Sequence, residues 1–150
     1  MADENLRLIH SQLRTAQDKY TYFLLAISAS AIAFSLQITS TSLFTLSLAP
    51  LGLAILAWAG SFFSGCRHVQ FVNSTIFANT EYLKIQSGNH PEVGTHPDYI
   101  NAAMEGIKEA VSKNSNKANA YGQSQFRLLI LGGILFIAWH IIEMIIRTNG

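Results

Sequence analysis

The sequence predicts an all-α membrane protein: three transmembrane helices, an N-terminal helix leading into the first, and a cytoplasmic helical hairpin between the second and third. Three observations predict it. No Asp, Glu, Lys or Arg occurs between Lys19 and Arg67. A second charge-free run extends from Leu128 to Ile142. The 150 residues are 49% hydrophobic and 13% charged, proportions unusual for a soluble domain. A soluble fold of this size has too little interior to wrap residues 20–66 in other protein, whereas a bilayer surrounds them with apolar solvent.

The charge pattern also excludes some functions. The formal net charge is +1, and residues 67–127 mix six Lys or Arg with five Asp or Glu. No basic surface for phosphate neutralisation is expected, and so no nucleic-acid partner. The single cysteine, Cys66, excludes an internal disulfide and a cysteine-based zinc site within one chain. It reads as a small residue at a helix end.

The first helix opens at Asp3 and Glu4, acidic groups suited to a helix start. Leu6, Ile9, Leu13, Ala16, Tyr20 and Phe23 follow at alternating spacings of three and four, and the phase continues through Ile27, Ser30, Phe34 and Gln37. That narrow seam predicts one helix passing from water into the membrane; the alternative is a helix lying flat on the bilayer before it turns in. The first span covers about residues 22–38, with Lys19, Tyr20 and Tyr22 at its interface. Ser30-Ala31-Ile32-Ala33 has the small residues of a signal-cleavage site. Charges of both signs precede the run and a second apolar helix follows, so cleavage is not expected.

Thr39-Ser40-Thr41-Ser42 is a polar link short enough to make the second span return antiparallel. This span covers about residues 43–66, with Pro50 either in its first turn or at a kink. Gly60 with Ser64, and Ser61 with Gly65, set small residues one turn apart for close helix approach. Past Arg67-His68 the residues Val69, Val72, Ile76, Phe77, Tyr82 and Leu83 keep helical spacing to about Gln86, where Ser87-Gly88-Asn89 stops the helix.

After a loop over 89–97, Pro97-Asp98 reads as another first turn. Ile100, Met104, Ile107 and Val111 give that helix an apolar stripe to set against the preceding one. From Ser112 to Gln125 the stripe fades, which predicts either packing through small polar side chains or a face toward water. Arg127 precedes the third span, about 128–146, which ends at Arg147, with Trp139 suited to the far interface. The whole chain then forms one membrane domain with a cytoplasmic segment at 67–127. A cytoplasmic N-terminus puts nine of the ten Lys and Arg inside and only Arg147 outside. The positive-inside rule therefore predicts a multi-pass protein of the inner membrane with a periplasmic C-terminus.

Three sets of residues carry candidate chemistry. His90, Glu92, His96 and Asp98 repeat a His-Pro-acid triplet and would ligate a divalent ion if the loop folded back on itself, but turns at each Pro and a helix start at Asp98 explain the same residues. No metal or other cofactor is expected. His140 and Glu143 are ionisable groups one turn apart in a span. The structural expectation for them is pairing of Glu143 with Arg147 near the outer end; a proton path, an inter-subunit bond and an intramembrane enzyme site are the alternatives. Ser30 and Gln37 lie seven residues apart on the seam: in a bundle of identical chains they would make polar rings, whereas in a single hairpin they would bond a neighbouring helix, which is the expected case. With no Gly-rich phosphate loop and no nucleophile beside a base, an enzyme is not expected.

Through Lys19-Tyr20-Thr21-Tyr22-Phe23-Leu24-Leu25-Ala26 and Tyr121-Gly122-Gln123-Ser124-Gln125-Phe126-Arg127 the chain resembles a group of small bacterial inner-membrane proteins of no assigned function. In architecture it also resembles the SLATT membrane effectors of bacterial conflict systems, which set a membrane hairpin beside cytoplasmic helices; the third span departs from that pattern. The likeness implies a membrane-perturbing role and carries over no functional residue. The expected function is that of a self-associating, non-enzymatic membrane protein, a homo-oligomer acting as an effector or pore, with a protein partner or signal received by the cytoplasmic helices. The alternative is a scaffold or accessory subunit of a larger membrane complex.

Overall fold

The computed structural model describes residues 2–40, 45–88, 90, 91, 93 and 96–149. Among these all regular structure is helical: α1 (Ala2–Thr39), a 3-10 turn (Leu46–Leu48), α2 (Ala49–Gln86) and α3 (Pro97–Asn149). The 38, 38 and 53 residues of the helices give lengths of about 57, 57 and 80 Å, all greater than the ~30 Å of a hydrocarbon core. Each helix is apolar and long enough to cross a membrane. Only 11% to 28% of their most apolar stretches is buried within the protein, so most of that apolar surface is left uncovered by this chain.

Local chemistry explains the helix ends. Pro50 falls in the first turn of α2, where its missing N–H costs no hydrogen bond. The helix thus begins at Ala49, six residues past the expected Leu43, with Thr45 in extended backbone ahead of the 3-10 turn. Residues 41–44 lie outside the described residues. Gly88, at φ 72°, closes α2 in the left-handed conformation; Ser87 N–H reaches Leu83 O and Gly88 N–H reaches Ile85 O, both at 3.0 Å. Pro97 and Asp98 open α3, and His96 caps it, its carbonyl accepting from Ile100 N–H at 3.1 Å. Cys66 is exposed and stands within α2 rather than at a helix end.

Two compact units result, residues 1–65 with 122–150, and residues 66–121. In the first, the three helices pack through small and polar side chains. Thr21, Leu24, Ser28 and Ser35 are buried on α1; Leu51, Ala54, Ala57, Trp58, Ser61 and Ser64 on α2; Gln125 and Trp139 on α3. This corrects the sequence reading in one respect. The seam residues Tyr20, Phe23, Ile27, Ser30, Phe34 and Gln37 are exposed, and the intramolecular face of α1 lies one position further along. Every described residue from Glu4 to Tyr20 is exposed as well. Trp139 is another correction: it is 7% exposed inside the bundle, not displayed at an interface.

In the second unit, α2 and α3 are in contact through Phe71 with Tyr121 and His68 with Ala118. Ile100, Met104, Ile107 and Val111 are shielded, and the stripe continues through Asn114, Ser115 and buried Ala118. On α2 the shielded positions include Val69, Phe71, Val72, Thr75, Ala78, Tyr82 and buried Ile85. The expected stripe residues Ile76, Phe77 and Leu83 are exposed instead. The smaller Thr75 and Ala78 allow closer backbone approach than Ile76 and Phe77 would.

Candidate functional site

Hydroxyl and amide groups inside an apolar bundle stay there only if each finds a partner. On α1, Thr21, Ser28 and Ser35 recur every seven residues, and each donates to the carbonyl four residues back, at 3.0, 2.9 and 2.8 Å. Ser61 on α2 donates to Gln125 O of α3 at 2.8 Å, and its Oγ lies 3.1 Å from Ser28 Oγ; each hydroxyl carries one proton, so a bond between the two forms when Ser28 turns its proton from Leu24 O to Ser61 Oγ. Gln125, 1% exposed, points its Nε2 at Thr21 O, 3.5 Å away. One polar network therefore joins all three helices. Gly65 makes room for it, since a Cβ there would collide with the Gln125 amide and the end of Leu25.

Next to this network lies an aromatic layer. Phe136 sits 6.4 Å from Phe34, 5.8 Å from Trp58 and 5.6 Å from Trp139, centroid to centroid, all tilted. The Trp58 indole covers Gly132 and donates to Leu129 O at 3.3 Å. The buried Trp139 N–H has no partner among the described residues.

Sequence reasoning singled out neither Gln125 nor Gly132 as core. The signal was present: Ala118, Gln125, Gly132 and Trp139, all buried, follow one another at seven-residue intervals along α3. A stripe mixing Ala, Gln, Gly and Trp has no apolar contrast, however, so hydropathy passes over it.

Beyond the aromatic layer, Glu143 accepts a bond from Ser47 Oγ at 2.9 Å and lies 3.8 Å from Arg147 Nε. Ser47 in turn is 2.9 Å from Thr45 Oγ1. His140 is exposed, its ring 6.3 Å from Trp139. No hydrogen bond or ion pair joins His140 to Glu143 among the described residues. Ser30 and Gln37 are both exposed, and among the described residues neither side chain bonds another helix, which differs from the expected hairpin contact.

In the loop before α3, His90 pairs with Glu81, and His96 lies 3.8 Å from Asp98 Oδ2. His90 Nε2 is 3.3 Å from Glu81 Oε2, while His96 Nδ1 accepts from Asp98 N–H at 3.4 Å. Among the described residues no three His, Cys, Asp or Glu side chains are grouped to hold an ion; Glu92 lies outside them. Glu81 is held below its ordinary carboxyl range, first by the hydrogen bond from Lys84 Nζ at 2.7 Å and then by the charges of Lys84 and His90. A lowered folded-state value means a contribution present above the unfolded pKa, ordinarily 4.5, and lost as pH falls through the folded value. Melting curves between pH 3 and 6 should show a small acid-side loss in the native protein that Glu81→Gln removes; identical pH profiles would contradict the assignment.

No family model, curated protein or solved structure matches the chain.

Proposed function

We propose that this chain is a non-enzymatic membrane protein that self-associates through α1 and whose output is a change in membrane permeability. The carrying observation is the α1 seam. Leu6, Ile9, Leu13, Tyr20, Phe23, Ile27 and Phe34 are all exposed although they hold one a/d phase; up to Tyr20 every described residue of the helix is exposed, and from Thr21 on a neighbouring face packs on α2 and α3. A seam of that regularity is what a second copy needs for knobs-into-holes packing.

Charge placement supports a like partner. Counted from Leu6 as position a, the charges Glu4, Arg7, Arg14 and Asp18 fall at outward b and f positions. Of the flanking e and g positions, Asn5, His10, Gln12 and Gln17 carry no fixed charge, and the two that do, Asp3 at e and Lys19 at g, stand at opposite ends of the segment and differ in sign. Ser30 and Gln37 occupy the seam about 10 Å apart along the axis. Between copies they would ring a narrow polar path.

In this reading α1 to α3 cross the bacterial inner membrane, with the N-terminus and residues 67–127 in the cytoplasm and the C-terminus in the periplasm. The likeness to SLATT effectors points to the same output.

Chemical crosslinking in mild detergent should give oligomers that Ile9→Asp with Leu13→Asp reduces to monomer while far-ultraviolet circular dichroism is unchanged. In liposomes, Gln37→Leu should lower ion flux at least tenfold. A native protein that is monomeric and passes no ions would overturn the proposal.

A second reading, an accessory subunit of a larger complex, is favoured by Phe77 at 68% and Leu83 at 62% exposure in the charged segment. Its mark would be a stoichiometric unlike partner on mild solubilisation, lost with Phe77→Ser and Leu83→Ser.

A further inference from the structure

Within residues 66–121 two cations converge on one aromatic ring. Arg67 Cζ lies 4.9 Å from the Phe71 centroid and 5.8 Å from that of Tyr121, and Lys117 Nζ lies 5.2 Å from Phe71. Phe71 and Tyr121 are stacked, 5.6 Å apart and 14° from parallel. The two distances to Phe71 leave the charges no more than about 10 Å apart. Attraction to the ring faces offsets part of their repulsion.

Among the described residues no carboxylate forms an ion pair with either cation. Among the described residues the ion pairs join Glu81 with Lys84 and His90, Asp98 with His96, and Glu143 with Arg147. No Asp or Glu occurs between Asp18 and Glu81 or between Glu109 and Glu143. Glu109 stands eight residues before Lys117, about 12 Å along the helix.

The cluster is also held in place. His68 Nδ1–H donates to Ala118 O at 2.7 Å, tying α2 to α3 beside the stacked rings. Arg67 Nη1 donates to Gln70 Oε1 at 2.7 Å, and its other guanidinium donors remain for an oxyanion.

We propose that Arg67 and Lys117, set on the Phe71 and Tyr121 rings, bind the phosphate of an anionic phospholipid headgroup. Guanidinium geometry matches a phosphate diester. A lipid is favoured over a soluble anion because Arg67 is the first charged residue after the uncharged run 20–66, where α2 leaves apolar solvent and headgroups begin. The inference rests on the helices being membrane spans and is independent of self-association.

The test is native mass spectrometry of the full chain in mild detergent with equal phosphatidylglycerol and phosphatidylcholine. At about fivefold per cation, the native protein should retain the anionic lipid roughly 25-fold over the zwitterionic one, each of Arg67→Gln and Lys117→Gln about fivefold, and the double variant equally. Lys84→Gln, whose lysine is already paired with Glu81, should leave the preference intact. Parity in the native protein, an undiminished preference in the double variant, or displacement of the lipid by millimolar inorganic phosphate would each overturn the proposal. Should Arg67→Gln not fold, exposed Lys117→Gln decides alone.

Discussion

Gly132→Leu should destabilise the three-helix unit by about 3 kcal/mol or more, the upper range for overpacking a tight contact, whereas Gly133→Leu should change it by less than about 0.5 kcal/mol. A Cβ at Gly132 would stand 2.5 to 2.9 Å from three atoms of the Trp58 indole. That ring cannot yield as the end of an aliphatic chain does: it is 6% exposed, packs against Phe136 and is bonded to Leu129 O. A Cβ at Gly133 meets nothing within 4 Å. Two adjacent glycines in one helix thus give a built-in control. Both variants gain the same helix propensity over glycine, so their difference isolates the Trp58 contact. Denaturant or steric-trap unfolding in bicelles, read by tryptophan emission, would measure it. Trp58→Leu in the Gly132→Leu background should recover at least ~1 kcal/mol, as expected for residues in direct contact. Equal effects of the two glycine substitutions would mean that α2 and α3 do not approach through Gly132.

Gln125→Ala should cost about 2 to 4 kcal/mol, comparable to truncating a large buried aliphatic residue, and Gln125→Met about 1 kcal/mol or less. The ranking follows from where the bonds lie. The strong contact at this residue, from Ser61 Oγ at 2.8 Å, goes to its backbone carbonyl and survives any substitution. The side-chain amide reaches Thr21 O only at 3.5 Å, near the limit of a hydrogen bond. Interhelical hydrogen bonds in membranes average about 0.6 kcal/mol. Filled volume therefore outweighs the amide at this position. The same unfolding assay distinguishes the two: Gln125→Met as damaging as Gln125→Ala would assign the stability to the amide.

The α1 seam shows how periodicity finds a helix and still misplaces its packed face. Leu6 through Gln37 was the most regular apolar pattern in the chain, yet Thr21, Leu24, Ser28 and Ser35 pack against the neighbouring helices. In water, exposing Phe23 or Phe34 would be costly and the apolar face would turn inward. In lipid that cost vanishes, and close approach with satisfied hydroxyls decides which face is buried. The same reasoning underlies the proposal that another copy packs on the exposed seam. Hydropathy could not find Gln125 for a related reason, since the space it fills is made by residues far away in the chain, Gly65 and Thr21.

The amino-acid order alone determined that three stretches are helical and apolar enough to cross a membrane. Pro50, Gly88 and Pro97 mark helix ends because missing donors and left-handed backbone act within a few residues. Tertiary structure alone decided which faces meet: Ser61 with Ser28 and Gln125, Gly132 with Trp58, Phe71 with Tyr121. Local backbone chemistry acts on neighbours along the chain, whereas these contacts select small or complementary shapes across helices. No one-dimensional pattern of hydropathy distinguishes such shapes from their neighbours one position along.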